Sequence, residues 1–315
     1  MNGVPPVAGS GVPAGRAFQA AEVAARVGGI LYGEDVALTG VAALESIGPG
    51  LLAFHDRGPL ADGPGAVLTR RPVAHRTCIV VEDPLAAFVR VLEAWYPEPG
   101  FEGAIHPTAR LGRNVVIHPG VVIGAECEVG DDTVLFPNVV LYARTRIGRR
   151  CRIHAGAVLG ADGFRYHPTA QGALRVPHVG GVRIGDDVEI GAVSTVDRGF
   201  LVDTEIGDGC KLDNLVQIGH NCRLGRSVII AAQTGVSGSC VIGDGVLIAG
   251  QVGFADHLTI GAGARIGARS GVHRDIPSGE TWLGAPAMPV AQTMRIFGVW
   301  KDLPEMWKAW RKTLE

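Results

Sequence analysis

This sequence of 315 residues has few aromatic residues, little net charge and no long apolar run. Aromatic residues make up 6% of the chain, and the formal net charge is −2. A chain so close to neutral has no global electrostatic field that would hold nucleic acid or an anionic membrane surface. No apolar stretch reaches the roughly 18 to 20 residues of a membrane-spanning helix, so we expect no transmembrane segment.

The first sixteen residues have neither the basic start nor the continuous apolar run of a secretory signal. We therefore expect residues 1–16 to be a disordered N-terminus and the protein to be cytoplasmic. What the chain does have is glycine, with 46 residues, and a hydrophobic fraction of 47%. This composition indicates frequent turns and a core of small aliphatic side chains.

The first hundred residues have the pattern of a small α/β domain. A short helical pattern stops at Gly28 and Gly29, and short β-rich runs separated by Gly, Pro and Asp follow it. Asp83 followed by Pro84 fits a helix N-cap with proline at the first helical position. We therefore predict an α/β domain over residues 17–100.

From Ile105 onward the hydrophobic period is six residues. An excursion over residues 164–181 interrupts the repeat, which then continues to Val272. A six-residue period is the signature of a parallel β-helix in which three hexads form one coil. We therefore predict a mainly β fold, with the β-helix over residues 101–286. The repeated positions are aliphatic except Phe254, and they are 105, 111, 117, 123, 129, 135, 141, 147, 153, 159, 184, 190, 196, 206, 212, 218, 224, 230, 236, 242, 248, 254, 260, 266 and 272.

Five of the six cysteines occupy the fifth position of a hexad, where Ala, Val, Ser or Thr otherwise stand. Small, weakly polar packing explains this placement better than metal ligation or a disulfide framework does. We therefore expect no metal site. The five are Cys127, Cys151, Cys210, Cys222 and Cys240.

The end of the chain, residues 287–315, is predicted to be helical. Trp300, Trp307 and Trp310 are interleaved there with basic residues. Such a segment packs on the end of the β-helix or bundles with symmetry-related copies. Alternatively, its basic side chains form a lip for an acidic carrier protein.

Two of the ten histidines are set apart by the repeat. His220 is the third residue of its hexad, and two coils further on this position is 256, next to His257. The two imidazoles are therefore expected on one edge of the β-helix, roughly 10 Å apart along its axis. Gly238 lies one coil from His220 and is expected to leave a notch where a substrate carbonyl can approach backbone N–H groups.

These residues supply the parts of an acyl transfer. A neutral imidazole can act as general base, a backbone N–H can stabilise the oxyanion, and a second histidine can bind a polar substrate group. No serine or cysteine nucleophile is arranged with the base, so we expect direct attack by a substrate amine or hydroxyl. A chance alignment of two surface histidines is the alternative.

Four motifs near this edge point to a family: GADGF over 160–164, IGDDVEIG over 184–191, TVDRG over 195–199 and DNLVQIGHN over 213–221. They resemble the UDP-3-O-acylglucosamine N-acyltransferases of lipid A synthesis. The similarity covers about residues 17–290. It implies a left-handed β-helix, a homotrimer with sites in the clefts between subunits, and a first domain that binds the nucleotide.

The resemblance also assigns roles. His220 matches the general base, which removes a proton from the 2-amine of UDP-3-O-(3-hydroxyacyl)glucosamine as it attacks a 3-hydroxyacyl thioester. Acyl carrier protein would bring this thioester on its phosphopantetheine, with no other cofactor. Asp213 matches an acidic residue that orients or polarises the base, and Gly238 matches the oxyanion donor. The implied substrate-binding residues are His257, Phe54, Gln217 and Asn221.

One departure from the family's pattern lies in the first domain. The family usually has a Phe followed by an Asn-Pro-Lys-Tyr run that holds the uracil, whereas here Phe54 is followed by His-Asp-Arg-Gly-Pro-Leu. Arg57 and Leu60 thus stand where the family has Asn and Tyr. A different stacking partner or an altered nucleotide are the alternatives to the usual uridine site.

Three other functions compete with this interpretation. Another hexapeptide-repeat sugar O- or N-acyltransferase would share the repeat, but the separate first domain and the Asp-Gly-Phe and Asp-Arg-Gly motifs disfavour it. A zinc hydratase needs three imidazoles that converge on one metal, and His220 and His257 are too far apart for that. A non-catalytic β-helix scaffold is the third alternative.

Overall fold

The structure is a computed structural model that describes residues 17–58, 60, 63–300 and 302–313. The predicted disordered N-terminus, residues 1–16, lies outside these residues. Pro59, within the run that departs from the family's pattern, also lies outside them.

The first part of the chain is a small α/β unit. Its elements are β1 (Phe18–Gln19), α1 (Ala20–Val27), β2 (Ile30–Tyr32), β3 (Ala37–Leu38), β4 (Gly40–Val41), a 3₁₀ turn (Leu44–Ser46), β5 (Leu51–Phe54), β6 (Ala66–Thr69), β7 (Thr77–Val80) and α2 (Pro84–Trp95). The main sheet has the order β2-β7-β6-β5-β4, and only the β2–β7 pair in it is antiparallel. A separate pair joins β1 and β3.

Both helices of this unit end or begin at the residues that the sequence indicated. Gly28 caps α1 with φ of 70°, a left-handed conformation that glycine adopts without a steric penalty. The side chain of Asp83 accepts a hydrogen bond of 3.0 Å from the Ala86 N–H, and Pro84 opens α2. Local capping chemistry therefore fixes where these helices lie.

The six-residue repeat forms a parallel β-helix with three faces. The first face contains Val122–Ile123, Val140–Leu141, Val158–Ala161, Thr195–Asp197, Gln217–Ile218, Gly235–Val236, Gly253–Phe254 and Gly271–Val272. The second face contains Arg110–Leu111, Glu128–Val129, Thr145–Ile147, Val182–Ile184, Thr204–Ile206, Arg223–Leu224, Val241–Ile242 and Thr259–Ile260. The third face contains Val116–Ile117, Val134–Leu135, Arg152–Ile153, Glu189–Ile190, Lys211–Leu212, Ile229–Ile230, Leu247–Ile248, Arg265–Ile266, Thr281–Leu283 and Met288–Pro289. The predicted mainly β fold is confirmed.

The repeated aliphatic side chains fill the interior of the β-helix. Ile218 pairs with Val236, one coil on, and both are buried. At the first coil, however, Ile105 and Leu111 are each 41% exposed, because no coil covers them from below. The five cysteines of the repeat are all buried, as their hexad position indicated.

The excursion packs the β-helix against the α/β unit. Two strands of the excursion, Tyr166–Thr169 and Gly172–Arg175, form an antiparallel hairpin. Nε2 of His167 on this hairpin lies 2.8 Å from Oδ2 of Asp83, the N-cap residue of α2. The α/β unit therefore contacts the β-helix directly. Four apolar residues of the β-helix join the core of the α/β unit, namely Val176, Val179, Phe200 and Leu201.

Two helices, α3 (Val290–Trp300) and α4 (Leu303–Arg311), follow the β-helix, so the predicted helical tail is confirmed. Many large apolar side chains of this tail are exposed in the single chain. Among the described residues, every helix is too short or too polar to cross a bilayer. The exposed side chains are Met294, Ile296, Phe297, Val299, Trp300, Leu303, Met306, Trp307 and Trp310.

Candidate active site

The turns between the first and second faces bring His220, Gly238 and His257 to one edge of the β-helix. The Ser239 N–H donates to the His220 carbonyl at 2.8 Å, and the His257 N–H donates to the Gly238 carbonyl at 3.0 Å. The three residues therefore lie on successive coils, as the coil count predicted. A cavity of about 610 Å³ runs along this edge, and all three line it.

The imidazole of His220 is oriented by the residue that follows it. Nδ1 of His220 lies 3.0 Å from Oδ1 of Asn221, and the same oxygen accepts a hydrogen bond of 3.0 Å from the Phe200 N–H. An amide oxygen only accepts hydrogen bonds, so Nδ1 carries the ring proton. In the neutral tautomer that this contact selects, Nε2 of His220 is the nitrogen without a proton, which is the form that a general base needs.

Gly238 leaves room for the ring of this histidine. A Cβ atom added to Gly238 would lie 2.7 Å from Cε1 and 2.8 Å from Nε2 of His220. The predicted notch is therefore filled in part by the imidazole itself. Within the described chain, the Gly238 N–H donates to no backbone or side-chain acceptor. A free backbone donor thus lies beside the basic nitrogen, as acyl transfer requires.

Asp213 is not brought to this edge within one chain. It follows the third-face strand Lys211–Leu212, so it lies at the turn from the third face to the first. Its side chain accepts a hydrogen bond of 2.7 Å from the Asn214 N–H. It lines a different cavity, together with His154 and Glu189. Its role toward His220 stays a prediction.

A second carboxylate, Asp197, lines the cavity and was not singled out from the sequence. Nε2 of Gln217 donates to Oδ2 of Asp197 at 2.9 Å, and the Thr195 hydroxyl donates to the other end of the same amide. Burial raises the pKa of Asp197 to about 6. Between Val196 and Ile206 the repeat contains four extra residues, and Thr195 pairs with Gln217 across this slip. Counting coils across that slip could have placed Asp197 at the site.

A third imidazole, His178, also escaped the sequence analysis. It is 3% exposed, and its ring centroid lies 5.0 Å from that of His220. Its Nδ1 lies 3.0 Å from the Val176 carbonyl, to which it donates, while Nε2 has no partner in the part of the chain that is described. Burial and the neighbouring His220 lower the pKa of His178 to about 3. His178 is therefore a neutral neighbour of the base.

Phe54 lies in a cluster of aromatic rings between the α/β unit and this edge. Its ring centroid is 5.1 Å from that of Phe88 on α2 and 6.5 Å from that of Phe200. The Phe200 ring in turn lies 5.9 Å from the ring of His178. Ring contacts thus connect the predicted nucleotide-binding unit to the imidazole of His220.

His257 sits in a tight turn, with φ of 58°, and shares the cavity with Asp256 and Phe254. His257 occupies the position that Asn221 occupies two coils earlier, and the φ of Asn221 is 61°. In residues 17–58, 60, 63–300 and 302–313, no group of three or more His, Cys, Asp or Glu side chains is placed to hold a metal ion.

The fold and the repeats define a class of protein. The family model "Bacterial transferase hexapeptide (six repeats)" matches residues 126–161 and 203–238, and "Hexapeptide repeat of succinyl-transferase" matches residues 181–214. The UDP-N-acetylglucosamine acyltransferase from Acinetobacter baumannii is similar in structure, with a TM-score of 0.54 and 27% identity over 62% of this chain and 77% of that chain. The acyltransferase from Bacteroides fragilis has the same TM-score of 0.54, with 25% identity over 60% of this chain and 73% of that one. The chain is thus a hexapeptide-repeat transferase.

Sequence relatives make the assignment more specific. The UDP-3-O-acylglucosamine N-acyltransferase of Nitratidesulfovibrio vulgaris is 43% identical, over 91% of this chain and 92% of the relative. The enzyme of the same name from Granulibacter bethesdensis is 39% identical, over 88% of this chain and 92% of the relative. This chain belongs to the UDP-3-O-acylglucosamine N-acyltransferase family. The resemblance seen in the sequence, and the enzyme class it implied, are confirmed.

Proposed function

We propose that this enzyme transfers a 3-hydroxyacyl chain from acyl carrier protein to the 2-amine of UDP-3-O-(3-hydroxyacyl)glucosamine in lipid A biosynthesis. One observation carries the proposal. Nε2 of His220 is held directly over Gly238, beside a cavity, in a chain of this family. A base next to a free backbone donor is the arrangement that acyl transfer to an amine requires.

The reaction proceeds by direct attack. The amine nitrogen forms a bond to the thioester carbonyl carbon, and Nε2 of His220 accepts the proton that the nitrogen loses. The Gly238 N–H donates a hydrogen bond to the oxyanion of the tetrahedral intermediate. When the carbon–sulfur bond breaks, the imidazolium returns the proton to the departing phosphopantetheine thiolate. Atoms and charge balance without a further cofactor.

Other residues at the edge hold the substrates. His257, one coil beyond Gly238, binds the nucleotide-sugar or the phosphopantetheine. Gln217 and Asp197 present a hydrogen-bonded amide and carboxylate to the cavity, where both can contact the sugar. The side chain of Asn221 is engaged by His220 and Phe200, so its contribution to binding is made by positioning the base.

The role of Asp213 depends on assembly. Asp213 lies at another edge of the same chain, so it can reach His220 only if a neighbouring subunit presents that edge. The expected homotrimer would do this. The exposed apolar and basic side chains of α3 and α4 support either a helical bundle within the trimer or docking of acyl carrier protein.

O-acylation of a UDP-sugar is the second candidate, because the similar solved structures are UDP-N-acetylglucosamine acyltransferases. Those structures match 60% and 62% of this chain. The relatives that match 88% and 91% of it carry the name of the N-acyltransferase. The greater coverage favours N-acylation.

Mass spectrometry of the products tests the proposal. The purified enzyme is incubated with UDP-3-O-acylglucosamine and a mixed pool of acyl carrier thioesters. We expect a product that carries one additional 3-hydroxyacyl group on nitrogen, stable to mild alkali that removes esters. Acylation of UDP-N-acetylglucosamine but not of UDP-3-O-acylglucosamine would support the second candidate. The absence of an acylated product from either sugar would contradict both candidate functions.

A further inference from the structure

Arg165 is a half-buried arginine that has no acidic partner among the described residues. It follows Phe164, which lines the cavity beside His220. Its guanidinium carbon lies 4.3 Å from the ring centroid of Phe200, in a cation–π contact. Burial lowers the pKa of Arg165. Within the described residues its guanidinium makes no ion pair and no hydrogen bond.

The neighbouring arginines are different. Nη1 of Arg175, on the same excursion, lies 2.6 Å from Oδ2 of Asp162. Nε and Nη2 of Arg198 donate to the Gly160 and Ala143 carbonyls at 2.6 and 2.8 Å. A guanidinium that is removed from water without a partner costs free energy. An anionic ligand at Arg165 would recover that cost.

The described lining of the cavity supplies no permanent cation for a phosphate. Its described lining includes the carboxylates of Asp197 and Asp256 and no arginine or lysine. A nucleotide diphosphate sugar nevertheless brings two phosphate groups close to the reacting sugar. Arg165 follows the lining residue Phe164 and supplies a positive charge next to the cavity.

The order of groups from the α/β unit to His220 matches the order of groups in such a substrate. Phe54, in the α/β unit, lies 6.5 Å from Phe200, on which Arg165 stacks. On the other side, His178 lies 5.9 Å from Phe200 and 5.0 Å from His220. A nucleoside at Phe54 and an amino sugar at His220 would thus place the diphosphate between them, beside the guanidinium.

We propose that Arg165 binds the diphosphate group of the nucleotide-sugar substrate. This inference rests on the proposed function. The planar guanidinium can donate two parallel hydrogen bonds to phosphate oxygens, and its contact with Phe200 holds the plane in place before the ligand arrives. The site takes nucleoside diphosphates and their sugar conjugates, and it gains nothing from the nucleoside alone.

Equilibrium binding of UDP and of uridine to the purified full-length protein, without an acyl donor, tests this inference. Arg165→Met keeps the apolar packing on Phe200 and removes the charge. We expect this variant to bind UDP about tenfold to a hundredfold more weakly, from the usual size of a hydrogen bond to a charged group. Its affinity for uridine should change by less than about twofold, because uridine has no phosphate.

Two further variants sharpen the test. Arg165→Lys restores the charge without the planar fork and should recover part of the lost UDP affinity. Arg175→Gln removes a charge from the same excursion and should leave both affinities unchanged. An unchanged UDP affinity in Arg165→Met, or an equal loss for UDP and uridine, would overturn the inference. A wild-type protein that binds neither ligand would instead refute the nucleotide-sugar substrate itself.

Discussion

Nδ1 of His220 lies 3.0 Å from Oδ1 of Asn221, the next residue in the chain. This contact sets both the orientation of the ring and the position of its proton, because Oδ1 also accepts the Phe200 N–H. Asn221 has a φ of 61°, a left-handed conformation that asparagine, aspartate and glycine tolerate. Substitutions of Asn221 can therefore test how the base is oriented while His220 itself is unchanged.

Asn221→Gly should lower kcat by about tenfold to a hundredfold, because the ring loses its acceptor while the backbone keeps its conformation. Asn221→Asp keeps an acceptor oxygen at the same distance and should retain most of the activity. Steady-state kinetics of the two purified variants measures the difference. Equal kcat values for Asn221→Gly and the wild type would show that the contact does not orient the base.

Gly238→Ala should disable the site without disrupting the coil. The new methyl group would lie 2.7 Å from Cε1 of His220, so the ring must turn and move Nε2 away from the amine. A misplacement of about 1 Å can cost about a hundredfold in rate. Gly100→Ala, outside the cavity, is the control, since a Cβ atom there meets nothing within 4 Å. Similar kcat values for the two variants would contradict the close approach of His220 and Gly238.

His178 should make the folded protein sensitive to acid. Its pKa is lowered from 6.5 to about 3, so between these values the unfolded chain binds a proton that the folded chain does not. Stability therefore falls as the pH drops below 6.5, by at most about 1.4 kcal/mol per pH unit. His178→Gln removes this site, and its free energy of unfolding should depend less on pH.

Urea unfolding at pH 7.5 and 5.5, at one fixed protein concentration, measures the effect of His178. Asp197 acts in the opposite sense, because its raised pKa of about 6 lets the folded chain bind a proton first as the pH falls. This contribution is common to the wild type and His178→Gln and cancels in their difference. Identical pH dependence in both proteins would refute the neutral, buried state of His178.

His257→Ala should raise the apparent KM for one of the two substrates, because the proposed role of His257 is binding rather than proton transfer. Initial rates are measured while the nucleotide-sugar and the acyl carrier thioester are varied in turn. The substrate whose KM rises is the one that His257 contacts. Unchanged KM values for both substrates would remove His257 from the binding site.

The part of the site that could be predicted is the part inside the regular repeat. Each coil adds a fixed number of residues, so counting placed His220, Gly238 and His257 on one edge. Side-chain contacts did not follow from counting. The orienting contact of Asn221 depends on its rotamer and on Phe200, which belongs to the slip between two coils.

The residues that sequence reasoning missed lie where the period is broken. His178 and Arg165 belong to the excursion, whose path is set by packing against the α/β unit through contacts such as His167 with Asp83. Such long-range packing leaves no periodic signal. Asp197 lies at the end of a first-face strand, just before the slip, and burial rather than residue type distinguishes it.

The most direct test of the account is the rate of amide formation by His220→Ala. The substitution removes the proposed base but keeps the backbone hydrogen bond from the Ser239 N–H to the carbonyl of residue 220. With UDP-3-O-acylglucosamine and a 3-hydroxyacyl carrier thioester, we predict a kcat at least about a hundredfold below that of the wild type. Circular dichroism should show the same folded β-helix in both proteins. A folded His220→Ala variant with near-normal turnover would contradict the assignment of His220 as the general base.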